Sequence, residues 1–219
     1  MGRATMTVAL DRVAAFDAAF VGVPCELIRA DGRHGPLPVG RWAAEPDATD
    51  HSLLLEPCGG PTLDIGCGPG RLTAALGARG IPAMGIDVSG VAVLSTQARG
   101  AAALRRDVFD DVPAAGRWRH VLLADGNIGI GADPVPLLRR VGELLGPAGT
   151  VLVELAQPGL GVLREEIRLR IASQVTAAFA WAWVGADAIG SLAAAAGFGV
   201  RHLASRDSRW VATLAAAGS

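Results

Sequence analysis

The sequence predicts one α/β domain built on a doubly wound, mostly parallel sheet of seven strands. Short apolar strands alternate with helical stretches between residues 62 and 155, which is typical of a parallel sheet covered by helices on both faces. A turn with three glycines follows the first of these strands, and an aspartate ends the second. Glycine turns and acidic strand ends of this kind occur where α/β sheets bind ligands.

The repeating part of the chain can be divided into strands and helices by its apolar spacing and its turn residues. Right-handed crossovers would place the carboxyl ends of the parallel strands at one edge of the sheet. The predicted elements are strand 62–66, helix 70–79, strand 83–87, helix 89–98, strand 101–106, strand 120–125, helix 134–145 and strand 149–155.

The pattern changes after residue 158. Charged and apolar residues alternate over 164–171, which predicts a half-exposed strand. Phe179, Trp181 and Trp183 share one face of a second strand, so we predict a β-hairpin inserted after the fifth strand of the sheet. The remaining predicted elements are helix 187–196, strand 198–204 and strand 209–215.

Residues 1–60 form a separate N-terminal segment before the core, which spans 61–219. Apolar spacing, glycines, prolines and helix-capping residues define its elements. These are a helix over 8–21, a loop or short strand over 25–41, and a second helix that Asp47 or Thr49 caps and that runs to Leu55.

Composition limits the function. The net charge of −1 provides no broad positive field for nucleic acid. No apolar run reaches the length of about 18 residues expected of a membrane span, and the first residues lack a secretion signal. Three cysteines without metal spacing predict no metal site and a cytoplasmic setting. All 20 basic residues are arginine, which excludes P-loop hydrolysis and lysine Schiff-base chemistry.

Two neighbouring segments carry the strongest functional signal. Gly66, Gly68 and Gly70 let the backbone turn sharply and leave room for a ligand. Asp87 ends the adjacent strand, where a carboxylate can accept hydrogen bonds from a ribose. Together these segments predict a ligand that contains a nucleoside. The dinucleotide fingerprint fails, because Arg71 stands at its last position.

These segments resemble the motifs of class I S-adenosylmethionine-dependent methyltransferases. The stretch 63–72, Leu-Asp-Ile-Gly-Cys-Gly-Pro-Gly-Arg-Leu, is similar to the first motif, and 85–89 to the second. The stretch 106–109, followed by Pro113, is similar to the third, and 123–127 occupies the place of the fourth. The resemblance implies S-adenosylmethionine as cofactor, S-adenosylhomocysteine as product and an antiparallel last strand.

The resemblance also implies roles in the cofactor site. Asp64 would face the methionine amino group, and Asp87 would hold the ribose hydroxyls through charge-assisted hydrogen bonds. Val88 would pack on the adenine, Asp107 would accept from its amino group, and the backbone of Val108 would meet a ring nitrogen. Asp107 as a loop cap and Asp87 as a helix cap remain open alternatives. The implied cofactor residues are Asp64, Gly66, Cys67, Gly68, Gly70, Asp87, Val88, Asp107, Val108 and Asp125.

The implied reaction is an in-line methyl transfer that depends mainly on holding nucleophile, methyl group and sulfur collinear. A general base is needed only for a nucleophile that is protonated. Asp125 and Asn127 follow the fourth strand at the reactive edge, while His34 and His51 lie in the segment that often forms a lid in this family. A turn role for Asn127 and a surface role for the histidines are the alternatives. The candidate catalytic residues are therefore Asp125, Asn127, His34 and His51.

The acceptor pocket is predicted between the N-terminal segment and the inserted hairpin. Aromatic walls with one or two arginines suit a planar or carboxylate-bearing small molecule, although the tryptophans can instead attach the lid to the core. We expect a small-molecule acceptor such as a natural product, no nucleic acid or membrane partner, and a monomer or homodimer. The candidate substrate residues are Arg41, Trp42, Asn127, Arg164, Trp181 and Trp183.

Three other functions remain open. A nicotinamide-dependent oxidoreductase is disfavoured by Arg71. A methyltransferase that acts on protein or RNA would be expected to carry a basic appended module, which the sequence lacks. A non-catalytic S-adenosylmethionine-binding partner or sensor would keep the cofactor motifs without turnover.

Overall fold

A computed structural model describes residues 10–217, which fold into a seven-stranded sheet with flanking helices and a second, smaller sheet. A short 3₁₀ turn, Asn127–Gly129, follows the sixth strand. The helices and strands are α1 (Arg12–Phe20), β1 (Cys25–Ile28), β2 (His34–Pro36), α2 (Val39–Ala43), α3 (Ala48–Asp50, continued by a π-helical turn His51–Leu55), β3 (Thr62–Ile65), α4 (Arg71–Ala78), β4 (Ala83–Asp87), α5 (Gly90–Ala98), β5 (Ala102–Arg105), β6 (Trp118–Leu123), α6 (Pro134–Leu144), β7 (Leu145–Leu155), β8 (Val162–Ile171), β9 (Gln174–Val175), β10 (Phe179–Val184), α7 (Ile189–Ala195), β11 (Phe198–Arg206) and β12 (Arg209–Ala216).

The large sheet confirms the predicted doubly wound architecture. Its strand order is β11-β12-β7-β6-β3-β4-β5. Strands β3 to β7 pair in parallel, whereas β12 is antiparallel to both of its neighbours. The order reverses between β3 and β6, and an open α/β sheet binds its ligands at such a reversal.

The central strands of the large sheet are buried on both faces. All four residues of β3 are buried, because helices cover each side of the sheet.

Most helices begin at a residue whose side chain accepts a backbone N–H, as Asp11 does for α1, Ser89 for α5 and Asp133 for α6. Helix α4 instead follows Gly70, whose φ of 86° ends the turn before it.

The fourth predicted strand lies two residues earlier than expected, and the fifth is longer. Strand β6 ends at Leu123 because Asp125 adopts a left-handed backbone, with φ of 53°. Strand β7 begins directly at the end of α6, at Leu145. The early end of β6 turns the chain over the edge of the sheet where the glycine turn lies.

The second sheet, here called the lid sheet, comprises β1, β2, β8, β9 and β10. The predicted hairpin is present, since β10 pairs antiparallel with β8. Strand β1 pairs with the other edge of β8, with Cys25 opposite Ile171 and Ile28 opposite Arg168. The N-terminal segment, predicted as helices joined by a loop or short strand, is therefore partly sheet and is joined to the hairpin by hydrogen bonds.

The predicted helix over 8–21 lies outside the described residues at its first two positions. Within the described residues, α1 begins only at Arg12, because Leu10 forms a β-bridge with Thr176 and Asp11 caps the helix. Within residues 10–217, no helix is long and apolar enough to cross a membrane.

Candidate functional site

A cavity of about 370 Å³ lies between the strand ends of the large sheet and the inner face of the lid sheet. The strand ends of the large sheet contribute polar residues and glycines, whereas the lid sheet and the helices α1 and α2 contribute apolar and aromatic side chains. Residues of the first kind include Asp64, Gly66, Cys67, Gly68, Asp87, Asp107 and Asp125, and residues of the second kind include Phe16, Phe20, Leu27, Trp42, Ile167, Leu169, Phe179, Trp181 and Trp183.

The glycine turn needs glycine for two reasons. Gly66, Gly68 and Gly70 have φ of 69°, 53° and 86°, a region that side chains disfavour. A Cβ on Gly70 would also lie 2.5 Å from Oγ1 of Thr96. The N–H of Gly68 donates to Oδ2 of Asp87 at 2.9 Å, so the turn is tied to the end of β4.

Asp87 lies at the centre of the predicted cofactor site. Its second oxygen, Oδ1, accepts the N–H of Ser89 at 2.8 Å, while Ser89 itself caps α5. Burial raises the pKa of Asp87 above its usual value. Each oxygen keeps a lone pair for a further donor, so these contacts leave the carboxylate able to bind hydroxyls.

Asp64 lies at the floor of the cavity. Its side chain is 2 % exposed and accepts the hydroxyl of Thr73 at 2.7 Å. Burial raises the pKa of this carboxyl to about 6. Asp64 is therefore poised to titrate near neutral pH and to favour a cationic group placed beside it.

The remaining cofactor candidates also lie around the cavity. Val88 and Val108 line it, and Val108 is buried. Asp107 lines it too, while one of its carboxylate oxygens accepts the N–H of Phe109 at 3.0 Å. The buried Cys67 has its sulfur near Thr96, and burial raises the pKa of its thiol, so its side chain packs against the turn. Gly70 shapes the turn without lining the cavity.

Asp125 belongs to a buried ionic cluster that the sequence analysis did not identify. Arg71, only 3 % exposed, forms ion pairs with Asp50 and, at 2.6 Å, with Asp125. Glu154 accepts the backbone N–H of Asp125 at 2.8 Å and pairs with Arg209 at the same distance. The one sequence signal for this cluster is Glu154, the only acid in the apolar run Val151–Leu155.

The side chain of Asn127 is hydrogen-bonded to the glycine turn. Its side-chain amide donates to the carbonyls of Ile65 at 2.8 Å and Gly66 at 2.9 Å. A Cβ on Gly66 would lie 2.6 Å from that nitrogen. The amide group is therefore used to hold β3 and the turn in place, and this geometry favours the turn role over a catalytic role for Asn127.

Four predicted residues lie away from the cavity lining. His34 is exposed on β2, 3.6 Å from Glu26, and His51 is exposed at the start of the π-helical turn. Arg164 pairs at 2.9 Å with Asp133, the residue that caps the start of α6. Arg41 turns toward the ionic cluster, 3.0 Å from Asp125 and 3.3 Å from Glu154. The cavity therefore lacks the predicted histidines and both predicted arginines.

The three predicted tryptophans do reach the cavity. Trp181 and Trp183 project from β10, and Trp42 packs near Phe20, with ring centroids 6.3 Å apart. The guanidinium of Arg29 covers Trp183 at 4.6 Å from the ring centroid. Phe16 and Phe20 of α1 also line the cavity, and the sequence analysis did not include them among the site residues.

The large sheet, with its strand order, glycine turn and acid at the end of β4, has the Rossmann-like fold of solved S-adenosylmethionine-dependent methyltransferases. Solved structures share this fold. A methyltransferase from Bacteroides fragilis, in complex with S-adenosylhomocysteine, is 20% identical, covers 94% of each chain and gives a TM-score of 0.78. A sugar N-methyltransferase from Streptoalloteichus is 18% identical. The match covers 78% of this chain and 87% of that chain and gives a TM-score of 0.55.

A third structure holds an acceptor. The 1,6-didemethyltoxoflavin-N1-methyltransferase from Burkholderia thailandensis, with 1,6-didemethyltoxoflavin and S-adenosylhomocysteine bound, is 19% identical, covers 71% of this chain and 70% of that chain, and gives a TM-score of 0.52. At these identities the likeness establishes the fold. Comparison by sequence finds no matching protein-family profile and no matching curated protein.

Proposed function

We propose that the protein transfers a methyl group from S-adenosylmethionine to a small-molecule acceptor. The observation that carries the proposal is the convergence of the glycine turn, Asp64 and Asp87 on one cavity whose opposite wall is apolar. Structural neighbours with this fold were crystallised with S-adenosylhomocysteine.

The residues of the large sheet fit this cofactor. Gly66 and Gly68 line the cavity and carry no side chain, so the backbone is open to a ligand at that edge. Asp87 would hold the ribose hydroxyls, Asp64 would face the methionine ammonium group, and Val88 would pack on the adenine while the backbone N–H of Val108 meets a ring nitrogen. The bound cofactor supplies an electrophilic methyl group on a sulfonium.

The lid sheet would bind the acceptor. Its inner face presents Leu27, Ile167 and Leu169 beside Trp181 and Trp183, a surface that suits an apolar or planar molecule. Two structural neighbours methylate small molecules, a sugar and 1,6-didemethyltoxoflavin, which supports an acceptor of this size.

The protein would act through proximity and orientation rather than through a general base. Among residues 10–217, the acids that line the cavity are four aspartates, each with a partner already described. Asp125 would keep Arg71 in place, and the protonated thiol of Cys67 cannot accept a proton. We therefore expect an acceptor whose nucleophile carries a free lone pair without help from the protein.

Thermal melting with S-adenosylhomocysteine, S-adenosylmethionine and NAD tests the proposal. Ligand at about 100 times its Kd adds about 2.7 kcal/mol to the free energy of unfolding, a rise of roughly 5–10 °C for a chain of this size. Transfer of a labelled methyl group to a panel of small amines, phenols and carboxylates then tests turnover. A rise with NAD alone would exclude the proposal, and cofactor binding without transfer to any acceptor would favour the sensor alternative.

The affinity for S-adenosylhomocysteine is expected to increase with pH up to about 6. Burial raises the pKa of Asp64 to about 6, so below that pH the carboxyl is neutral and attracts the ligand's ammonium group weakly. Above that pH the carboxylate is ionised and binding is strongest. Calorimetric titration between pH 5 and 8 measures how the affinity changes with pH, and Asp64→Asn should remove most of this dependence. An equal slope in both proteins would show that another group is responsible.

A further inference from the structure

Two arginines of the cavity lining lack a carboxylate partner within residues 10–217. They are Arg12, at the start of α1, and Arg106, directly after β5; both are exposed. The third cavity arginine, Arg71, is buried between Asp50 and Asp125. The first two arginines are therefore free to bind an anion that enters the cavity.

Arg12 belongs to the acceptor side. Phe16, one turn later on the same face of α1, also lines the cavity. The guanidinium of Arg12 lies 5.7 Å from the ring centroid of Phe179, the first residue of β10. Oδ2 of the neighbouring Asp11 accepts the N–H groups of Val13 and Ala14 at the start of α1 and forms no ion pair with Arg12. Arg106, in contrast, lies beside Asp107 on the side proposed for the adenine.

We propose that the methyl acceptor carries an anionic group, a carboxylate, sulfonate or phosphate, that Arg12 binds while the apolar lid face holds the rest of the molecule. Contact with Phe179 limits the freedom of the guanidinium and leaves its N–H donors available. The lid wall around it is apolar, so within residues 10–217 Arg12 is the one charged group on that side of the cavity that can distinguish an anion from a neutral molecule. This inference rests on the proposed function.

Two fluorescent probes test this inference without knowledge of the acceptor. 1-Anilinonaphthalene-8-sulfonate and N-phenyl-1-naphthylamine have the same rings, and only the first carries a sulfonate. Both are titrated into protein saturated with S-adenosylhomocysteine. Arg12→Met should lower the affinity for the sulfonate probe by roughly five- to tenfold, a modest loss because the arginine–sulfonate pair is partly exposed. Its affinity for the neutral probe should change by less than about twofold. Arg12→Lys keeps the positive charge, so it should lose less affinity for the sulfonate probe than Arg12→Met does.

Arg168→Met is the matched control. Arg168 is an exposed arginine of β8 outside the cavity lining, between Ile167 and Leu169, which face the cavity. The Arg168→Met variant should bind both probes with the affinity of the wild-type protein. Failure of the sulfonate probe to bind the wild-type protein, equal loss of both probes in Arg12→Met, no loss, or loss in Arg106→Met instead would each overturn the inference.

The melting shift with S-adenosylhomocysteine separates this inference from the proposed function. A shift that persists in Arg12→Met, together with selective loss of the sulfonate probe, supports both. A normal shift without selective loss overturns only the role of Arg12. If the wild-type protein shows no shift at all, the proposed function fails, and the role of Arg12 fails with it.

Discussion

Replacing Asp87 with alanine is expected to abolish the rise in melting temperature that S-adenosylhomocysteine gives the wild-type protein. Two hydrogen bonds from ribose hydroxyls to this carboxylate would be lost, each worth about 1.5–3 kcal/mol. The affinity should therefore fall by at least about a hundredfold. Isothermal titration calorimetry at pH 7.5 measures the change directly.

Asp87 also accepts the N–H groups of Gly68 and Ser89, so the variant loses support for the glycine turn. Urea unfolding of the free protein separates that effect from the loss of ligand contacts. Asp107→Ala serves as a matched comparison, because it would remove one contact to the adenine and should cost only about tenfold in affinity. Binding by Asp87→Ala within threefold of wild type would contradict the ribose assignment.

Replacing Arg71 with leucine is expected to lower the free energy of unfolding by about 3–5 kcal/mol, because the buried carboxylates of Asp50 and Asp125 each lose one of their two arginine partners. The carboxylates of Asp50 and Asp125 both face this guanidinium. Arg71 is 3 % exposed, so water cannot replace its contacts. Urea unfolding at pH 7 measures the loss.

The loss should also depend on pH. Burial raises the pKa of Asp50, but contacts with Arg71 and Arg209 outweigh it and leave that pKa below 3.8. The stabilisation from Asp50 is thus complete above pH 3.8 and is lost as the pH falls through the lower pKa of the folded state. The difference between wild type and Arg71→Leu should therefore narrow below pH 4.

Arg41→Leu is the control for the buried cluster. Arg41 contacts Asp125 and Glu154, but its side chain is 38% exposed. Exposed ion pairs contribute little, so this variant should cost less than about 1 kcal/mol. An equal cost for both variants would mean that burial does not decide the contribution of these arginines.

The half of the cavity proposed for the cofactor could be predicted because its signals are local. The glycine turn and Asp87 follow directly from short, mostly apolar strands, and parallel strands bring their ends together whatever the loops do. Trp181 and Trp183 were also placed in the cavity, since alternation along β10 puts both on one face.

The acceptor half depends on contacts between distant parts of the chain. Nothing in the short strand β1 indicates that it pairs with β8, because both are half-exposed and many registers would satisfy the same pattern. Arg41 and Arg164 were assigned to the acceptor, but their partners Glu154 and Asp133 are distant in sequence and take both guanidinium groups away. The side chains that compete for an arginine are visible only in the folded protein.

The pairing of β1 with β8 also sets the order in which the site can assemble. Five strands of the large sheet, β3 to β7, lie in the chain between these two strands. Contacts that close such a long loop form late, after local elements have already folded. The half of the cavity formed by the large sheet can therefore reach its native form before the half formed by the lid sheet exists. For the same reason, the lid sheet can open as a cooperative unit while the parallel core remains folded.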